Sequence, residues 1–274
     1  MTALPMRTGS DAQIPEIDEP LNRWLIHPLA RRLLPVAIGS GVSPNTLSLL
    51  GLLCGVLAAF AYTRWQDWPM ATAGLAAMLA WHVFDGLDGM VARATGRTSA
   101  FGRFLDGVCD YAVFVMVYVV LAASVAPALG TALAYGIAGL AGAAHAVQSA
   151  YYEAQRELYV RRLAGEAGLA ERTVAGGILE QLYNRGQAAM TRDAALTDAW
   201  LRTPVGDVGR YRVQLAPVMQ AMTLLGPTVR TLAIFIACTA GTPILFWMFE
   251  IVVLLPALML FESLRSRRES RLAL

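Results

Sequence analysis

Six stretches of this chain are apolar over roughly the 20 residues that a helix needs to cross the hydrocarbon of a bilayer. They fall at about 44–63, 69–93, 103–124, 129–153, 214–238 and 243–262. Of the 274 residues, 56% are hydrophobic and only 15% are charged, whereas a soluble domain is about a quarter charged. So much apolar surface needs a solvent other than water. The pattern predicts an all-α integral membrane protein with six transmembrane helices and a single core. Pro69 suits the first turn of the second span, and Pro227 in LLGPTV should interrupt the fifth by removing a helix hydrogen bond.

Arginine placement predicts orientation. The segments before span one, between spans two and three, between four and five, and after six hold nearly all the arginines. The loop between spans one and two has only Arg64, and the short loops after three and five have none. Both termini and the loop between spans two and three should therefore face the cytoplasm, as in a multi-pass protein of the cell (inner) membrane. All 22 basic residues are arginine, and the net charge of +2 is too weak and scattered to suggest a nucleic-acid partner. Cys54, Cys109 and Cys238 lie in apolar stretches, as small buried residues do, with no disulfide or zinc spacing.

Outside the spans, residues 1–20 are polar, lack the apolar core of a signal peptide and read as a flexible cytoplasmic N-terminus. Over 21–42, Leu21, Trp24, Leu25, Leu29 and Leu33 share one face, with Arg23, Arg31 and Arg32 elsewhere. This predicts an interfacial amphipathic helix on the cytoplasmic leaflet. The membrane domain then covers 43–262. It is interrupted over about 154–212 by a polar connection whose nine arginines and seven acids nearly cancel. The helical spacing of TVAGGILEQLYNRGQAAM within it predicts a small helical cytoplasmic insertion. Residues 263–274 form a basic tail.

Against this background, FDGLDGMVARATGRTSAFGRFLDGVCD, residues 84–110, stands apart because it carries Asp85, Asp88, Asp106 and Asp110. Asp85 and Asp88 are three apart, on one face of the second span; Asp106 and Asp110 are four apart, on one face of the third. Gly96 can end the former helix and Thr98 or Ser99 can cap the latter. The two helices should form a hairpin with all four carboxylates converging near its cytoplasmic end. Carboxylates so placed repel one another and are costly in low dielectric, so a cation should hold them. All-oxygen donors suit Mg²⁺, Mn²⁺ or Ca²⁺ rather than zinc. Four acids can hold two such ions, an arrangement that clamps a phosphoryl group during in-line displacement. His82 is not taken as a ligand. Gly89, Ala92 and Gly102 leave the helix faces bare beside the acids, and Arg93 and Arg97 stand at the mouth, where a guanidinium can neutralise a diphosphate.

Written out, Asp85-x2-Asp88-Gly89-x2-Ala92-Arg93-x8-Gly102-x3-Asp106-x3-Asp110 resembles, at every fixed position, the signature of the CDP-alcohol phosphotransferase family. SPNT at 43–46 is similar to that family as well. The resemblance covers the first three spans and implies a dimeric six-helix membrane enzyme of phospholipid synthesis. Such an enzyme moves a substituted phosphate from a CDP-linked donor to an alcohol acceptor, one of them a lipid, and releases CMP. It also implies that Asp85, Asp88, Asp106 and Asp110 hold two Mg²⁺ or Mn²⁺ ions and that Asp110 is the general base. Gly89, Ala92 and Gly102 would line the cytidine site, with Arg93 supporting the diphosphate.

His145, Gln148, Tyr152 and Arg156 form a polar stripe along span four that should face the bundle. Arg156 is a candidate for binding the acceptor. Together with the arginine-rich insertion, it favours a CDP-lipid donor, such as CDP-diacylglycerol, and a phosphorylated polyol acceptor. Transfer of a CDP-linked head group to a lipid alcohol remains the alternative within the family. Arg230 and Glu250 are isolated charges at similar depth in spans five and six and should pair. Three other functions compete: a divalent-cation transporter, with acids near the midplane of several helices; a membrane prenyltransferase, which does not need the Gly-x2-Ala-Arg and Gly-x3-Asp spacing; and a scaffold without activity.

Overall fold

The computed structural model describes residues 14, 17–167, 194–203 and 206–273, and these are helical wherever they have regular structure. A π-helical turn, Asn22–Ile26, leads into α1 (His27–Gly39). There follow α2 (Pro44–Tyr62), α3 (Trp68–Thr95), α4 (Ala100–Leu129), α5 (Thr131–Leu163), α6 (Ala194–Leu201) and α7 (Val208–Met222). Then come α8 (Pro227–Thr239), α9 (Ile244–Met248), a second π-helical stretch (Phe249–Leu254) and α10 (Leu255–Ala273). Among the described residues four helical runs are long and apolar enough to cross a membrane: Pro44–Tyr62, Trp68–Thr95, Phe101–Leu129 and Ile244–Leu272. A fifth is reached if Val208–Leu225 and Pro227–Thr239 make one broken span. This is the profile of a multi-pass membrane protein.

The stretch read as the fourth span lies in α5, which is a helix but does not pass that test. Its apolar residues are mostly Ala and Gly, whose transfer to hydrocarbon gains little, and its C-terminal half carries the polar stripe and the arginines. The helix also continues to Leu163, ten residues past the expected end at 153. The predicted helix at TVAGGILEQLYNRGQAAM and most of the N-terminal 20 residues lie outside the described residues. Glu19, within that N-terminal stretch, is buried, and its carboxylate accepts hydrogen bonds from the backbone N–H (3.0 Å) and the hydroxyl of Thr228. It thereby satisfies one of the N–H groups that the first turn of α8 leaves open. The stretch read as the fifth span is interrupted at Gly226, immediately before Pro227.

The chain divides into two compact units. One comprises Glu19–Ala146 and Pro227–Leu255. Its core joins Ala58, Tyr62, Met78, Trp81, Val113, Val117, Leu121, Ile234, Phe246 and Trp247, all buried. The first span packs along both α3 and α4. The hairpin expected of the second and third spans is present at the acid-bearing end, where Asp85, Asp88 and Asp106 meet, and α2 is set against both helices. Gly55 explains part of this. A Cβ there would collide with the Val113 side chain, so the residue lets α2 approach α4. Gly51 does the same toward α3, with Trp81 Cδ1 3.3 Å from where its Cβ would stand.

The leading helix packs on α3, but not by the whole face drawn from the sequence. Ile26, Ala30 and Ala37 are buried, whereas Trp24 is 75% exposed and Leu29, Leu33 and Val36 are exposed too. The apolar residues are thus shared between a packed edge and an open one.

The second unit comprises Met1–Asp18, Val147–Gly226 and Pro256–Leu274. Arg162, at the end of α5, donates to Asp198 (2.7 Å), Glu269 (2.8 Å) and the Tyr211 hydroxyl (3.1 Å). Burial opposes its charge, but Tyr211, Glu269 and Asp198 outweigh that and hold the guanidinium above its ordinary pKa. Arg265 adds ion pairs to Glu262 (2.7 Å) and Glu269 (3.0 Å).

Candidate functional site

The second and third spans bring the acids together by ordinary helix geometry. The former ends where expected, at Gly96, whose φ of 69° is the left-handed conformation that glycine adopts without strain. The latter starts on Ser99, whose side chain accepts from Gly102 N–H at 2.9 Å. Between these two caps the turn reverses the chain, so the last turns of α3 meet the first turns of α4. One carboxylate oxygen from each of Asp85, Asp88 and Asp106 lies within 4.8 Å of the others. Asp110 is not in that trio, but it stands beside Asp85 and Trp81. It lines the same narrow pocket as Asp85, Asp106, Ser48, Gly51, Trp81 and Cys109.

The donor set fits a hard divalent cation. An ion bound at about 2.1–2.4 Å sets its ligand oxygens no more than about 4.2–4.8 Å apart, and the three oxygens here lie within 4.8 Å of one another. The donors are oxygens; His82, next along the helix, is turned away and bonds Thr231 Oγ1 at 2.9 Å. The carboxylates are buried or half-buried, where like charges at this range repel strongly without a cation.

The other sequence-predicted residues fall around this trio. Arg93 folds back along α3, its Nη1 3.1 Å from where a Cβ on Gly89 would stand, and its charge reaches Asp88. Ala92 is half-buried one turn beyond Asp88, and Arg97 is exposed just past the helix end, its N–H bonded to the Ala92 carbonyl at 2.9 Å. Gly102 abuts Ser99 and Asn45, whose Oδ1 lies 3.2 Å from where a Cβ would stand. Arg156 is half-exposed and pairs with Glu153 at 3.6 Å; it belongs to the other compact unit.

Ser48, Trp81 and Asn45 were absent from the sequence reading of the site. Ser48 Oγ donates to Asp88 Oδ2, and both residues are only 6% exposed. A serine among the apolar residues of the first span was the available signal, but its partner lies 40 residues away.

This geometry stands on the segment that comparison with known proteins singles out. Residues 41–164 match the family model described as CDP-alcohol phosphatidyltransferase. That segment is a CDP-alcohol phosphatidyltransferase domain. All four aspartates and the Ser48 contact fall inside it.

An archaetidylinositol phosphate synthase of Pyrococcus horikoshii is 41% identical over 71 residues, 26% of this chain and 35% of that protein. A phosphatidylinositol phosphate synthase of Mycobacteroides abscessus is 36% identical over 86 residues, 31% of this chain and 36% of its own. The inner membrane protein YnjF of Escherichia coli is 36% identical over 93 residues, 34% of this chain and 42% of its own. The chain thus spans about a third of the length of the first two relatives. No solved structure matches it.

Proposed function

We propose that this chain is a CDP-alcohol phosphatidyltransferase that moves a substituted phosphate from a CDP-linked donor to an alcohol, releasing CMP. The observation that carries the reading is the convergence of Asp85, Asp88 and Asp106, beside Asp110, within the matched segment. We take the donor to be CDP-diacylglycerol. The acceptor is proposed to be an inositol phosphate, because two of the relatives are named for making inositol phosphate lipids. Six spans, with that of α5 as the fourth, a cytoplasmic site and termini in the cell membrane, an interfacial α1 and a homodimer complete the proposal.

In this reading Asp85, Asp88, Asp106 and Asp110 hold two Mg²⁺ or Mn²⁺ ions. When bound, these supply positive charge for the diphosphate and for the departing phosphate of CMP. Arg93, with Arg97 at the mouth, adds charge to the diphosphate. Gly89, Ala92 and Gly102 leave room for the nucleotide. Asp110 accepts the proton of the attacking hydroxyl as the new P–O bond forms and the bond to CMP breaks. Arg156 is proposed to bind the anionic acceptor. Cation transport is disfavoured by acids confined to two helices and gathered at the end where α3 closes and α4 begins.

The test is CMP release by the purified full chain in detergent, given CDP-diacylglycerol with inositol phosphate, glycerol phosphate or serine, and Mg²⁺ or Mn²⁺. Product masses identify the acceptor. CMP release that requires a divalent ion and stops with EDTA is expected. Release only from a CDP-linked head group with diacylglycerol would reverse donor and acceptor. No CMP from any CDP-alcohol would overturn the proposal.

A further inference from the structure

We infer that Ser48, on the first span, is a positioning residue that holds the carboxylate of Asp88 in the orientation needed to bind a divalent cation. The inference rests on the proposed metal-dependent reading and extends it from the two helices that carry the acids to α2. Ser48 and Asp88 are both buried, and Ser48 Oγ donates to Asp88 Oδ2. A serine inside a helix ordinarily bonds back to the carbonyl four residues earlier. That alternative exists here, at Pro44 O, but is long at 3.3 Å. The hydroxyl has one proton, and the close contact gives it to the carboxylate.

Pinning Oδ2 fixes the plane of Asp88. It thereby sets the direction in which the side chain offers an oxygen toward Asp85 and Asp106, within the 4.8 Å grouping. Ser48 and Gly51 both line the pocket that holds Asp85, Asp106 and Asp110. The close approach at Gly51 keeps α2 against Trp81, so the hydroxyl reaches Asp88 from a rigid element. Residues that orient a ligating carboxylate in this way commonly govern metal affinity by about 10–100-fold.

A merely structural bond between α2 and α3 would affect stability but not metal affinity, so the decisive readout is metal binding itself. The full chain in detergent is titrated with Mn²⁺, the free ion being read by electron paramagnetic resonance, with thermal unfolding followed on the same samples. Ser48→Ala is expected to weaken Mn²⁺ binding about tenfold or more, Ser48→Thr to restore it, and Ser48→Cys, a weak donor, to fall between. Should Ser48→Ala not fold, the ranking of Ser, Thr and Cys decides: equal affinities overturn the role. A wild-type chain that binds Mn²⁺ no better than Asp88→Asn removes the metal site and both readings with it. Wild-type binding matched by a folded Ser48→Ala removes only the role of Ser48.

Discussion

Two polar clusters are buried in the same compact unit, and they are built on opposite principles. In one, Arg230 and Glu250, both fully buried, meet at 2.9 Å. The Tyr118 hydroxyl donates to the same carboxylate oxygen at 3.3 Å and lies 3.2 Å from His145 Nδ1. Opposite charges and a neutral donor meet there on Glu250 Oε1, within protein. In the other, four carboxylates crowd together with Arg93 at the edge. Such a cluster must be offset by a bound cation or by shared protons, an imbalance that is common at binding sites. The first cluster carries its own counter-charge, and we assign it to holding α4, α8 and the π-helical stretch together.

The largest expected effects separate the two. Asp110→Asn should lower CMP release about 10²–10⁴-fold while leaving thermal stability unchanged or raised, because it removes one of four mutually repelling charges. Full activity in that variant would contradict the assignment of the base. Arg230→Leu should do the reverse, destabilising the fold by about 3–5 kcal/mol by leaving Glu250 buried without its counter-charge. Adding Glu250→Leu should recover much of that loss. Thermal unfolding of the single and double variants in detergent measures both, and an absence of rescue would reject the pairing.

A packing change should be felt less and equally by both clusters. Gly55 faces the Val113 side chain so closely that any Cβ forces α2 and α4 apart. Gly55→Ala should cost about 1–3 kcal/mol and lower activity in proportion to the folded fraction. A selective loss of activity in fully folded protein would mean that the acid site is more sensitive to α2 than the core is.

Both clusters were partly legible in the sequence, because each rests on local rules. Helical spacing put the acids on two faces, Gly96 and Ser99 punctuated the turn as their chemistry requires, and Pro227 marked a break. Arg230 and Glu250 announced a pair because isolated charges in apolar helices need one. What stayed hidden depends on which helices pack together. Nothing in residues 84–110 shows that α2 packs against both α3 and α4 beside the site. Nor does the sequence show that Ser48 reaches Asp88, or that Tyr118 and His145 complete the Arg230–Glu250 pair. The edge of α1 was similarly divided, since Ile26 and Ala30 are drawn into contact with α3 while Trp24 is not.

The smallest effects sharpen the comparison with one matched change beside each cluster. At Gly142 an added methyl would rest 3.7 Å from the Tyr118 ring, an ordinary contact. Gly142→Ala should therefore gain up to about 1 kcal/mol from helix propensity and leave CMP release unchanged. At Gly89 the methyl would stand 3.1 Å from Arg93 Nη1, the end of a flexible side chain. The fold should tolerate Gly89→Ala, but the guanidinium must shift by a few tenths of an ångström from its place beside Asp88. We expect stability to hold or rise while CMP release falls about fivefold, a change of roughly 1 kcal/mol in the barrier. Stability and activity moving together in both variants would mean that Arg93 supports the helix end. Activity falling only in Gly89→Ala would place this face of α3, with Gly89 and the Arg93 charge beside it, in the working site.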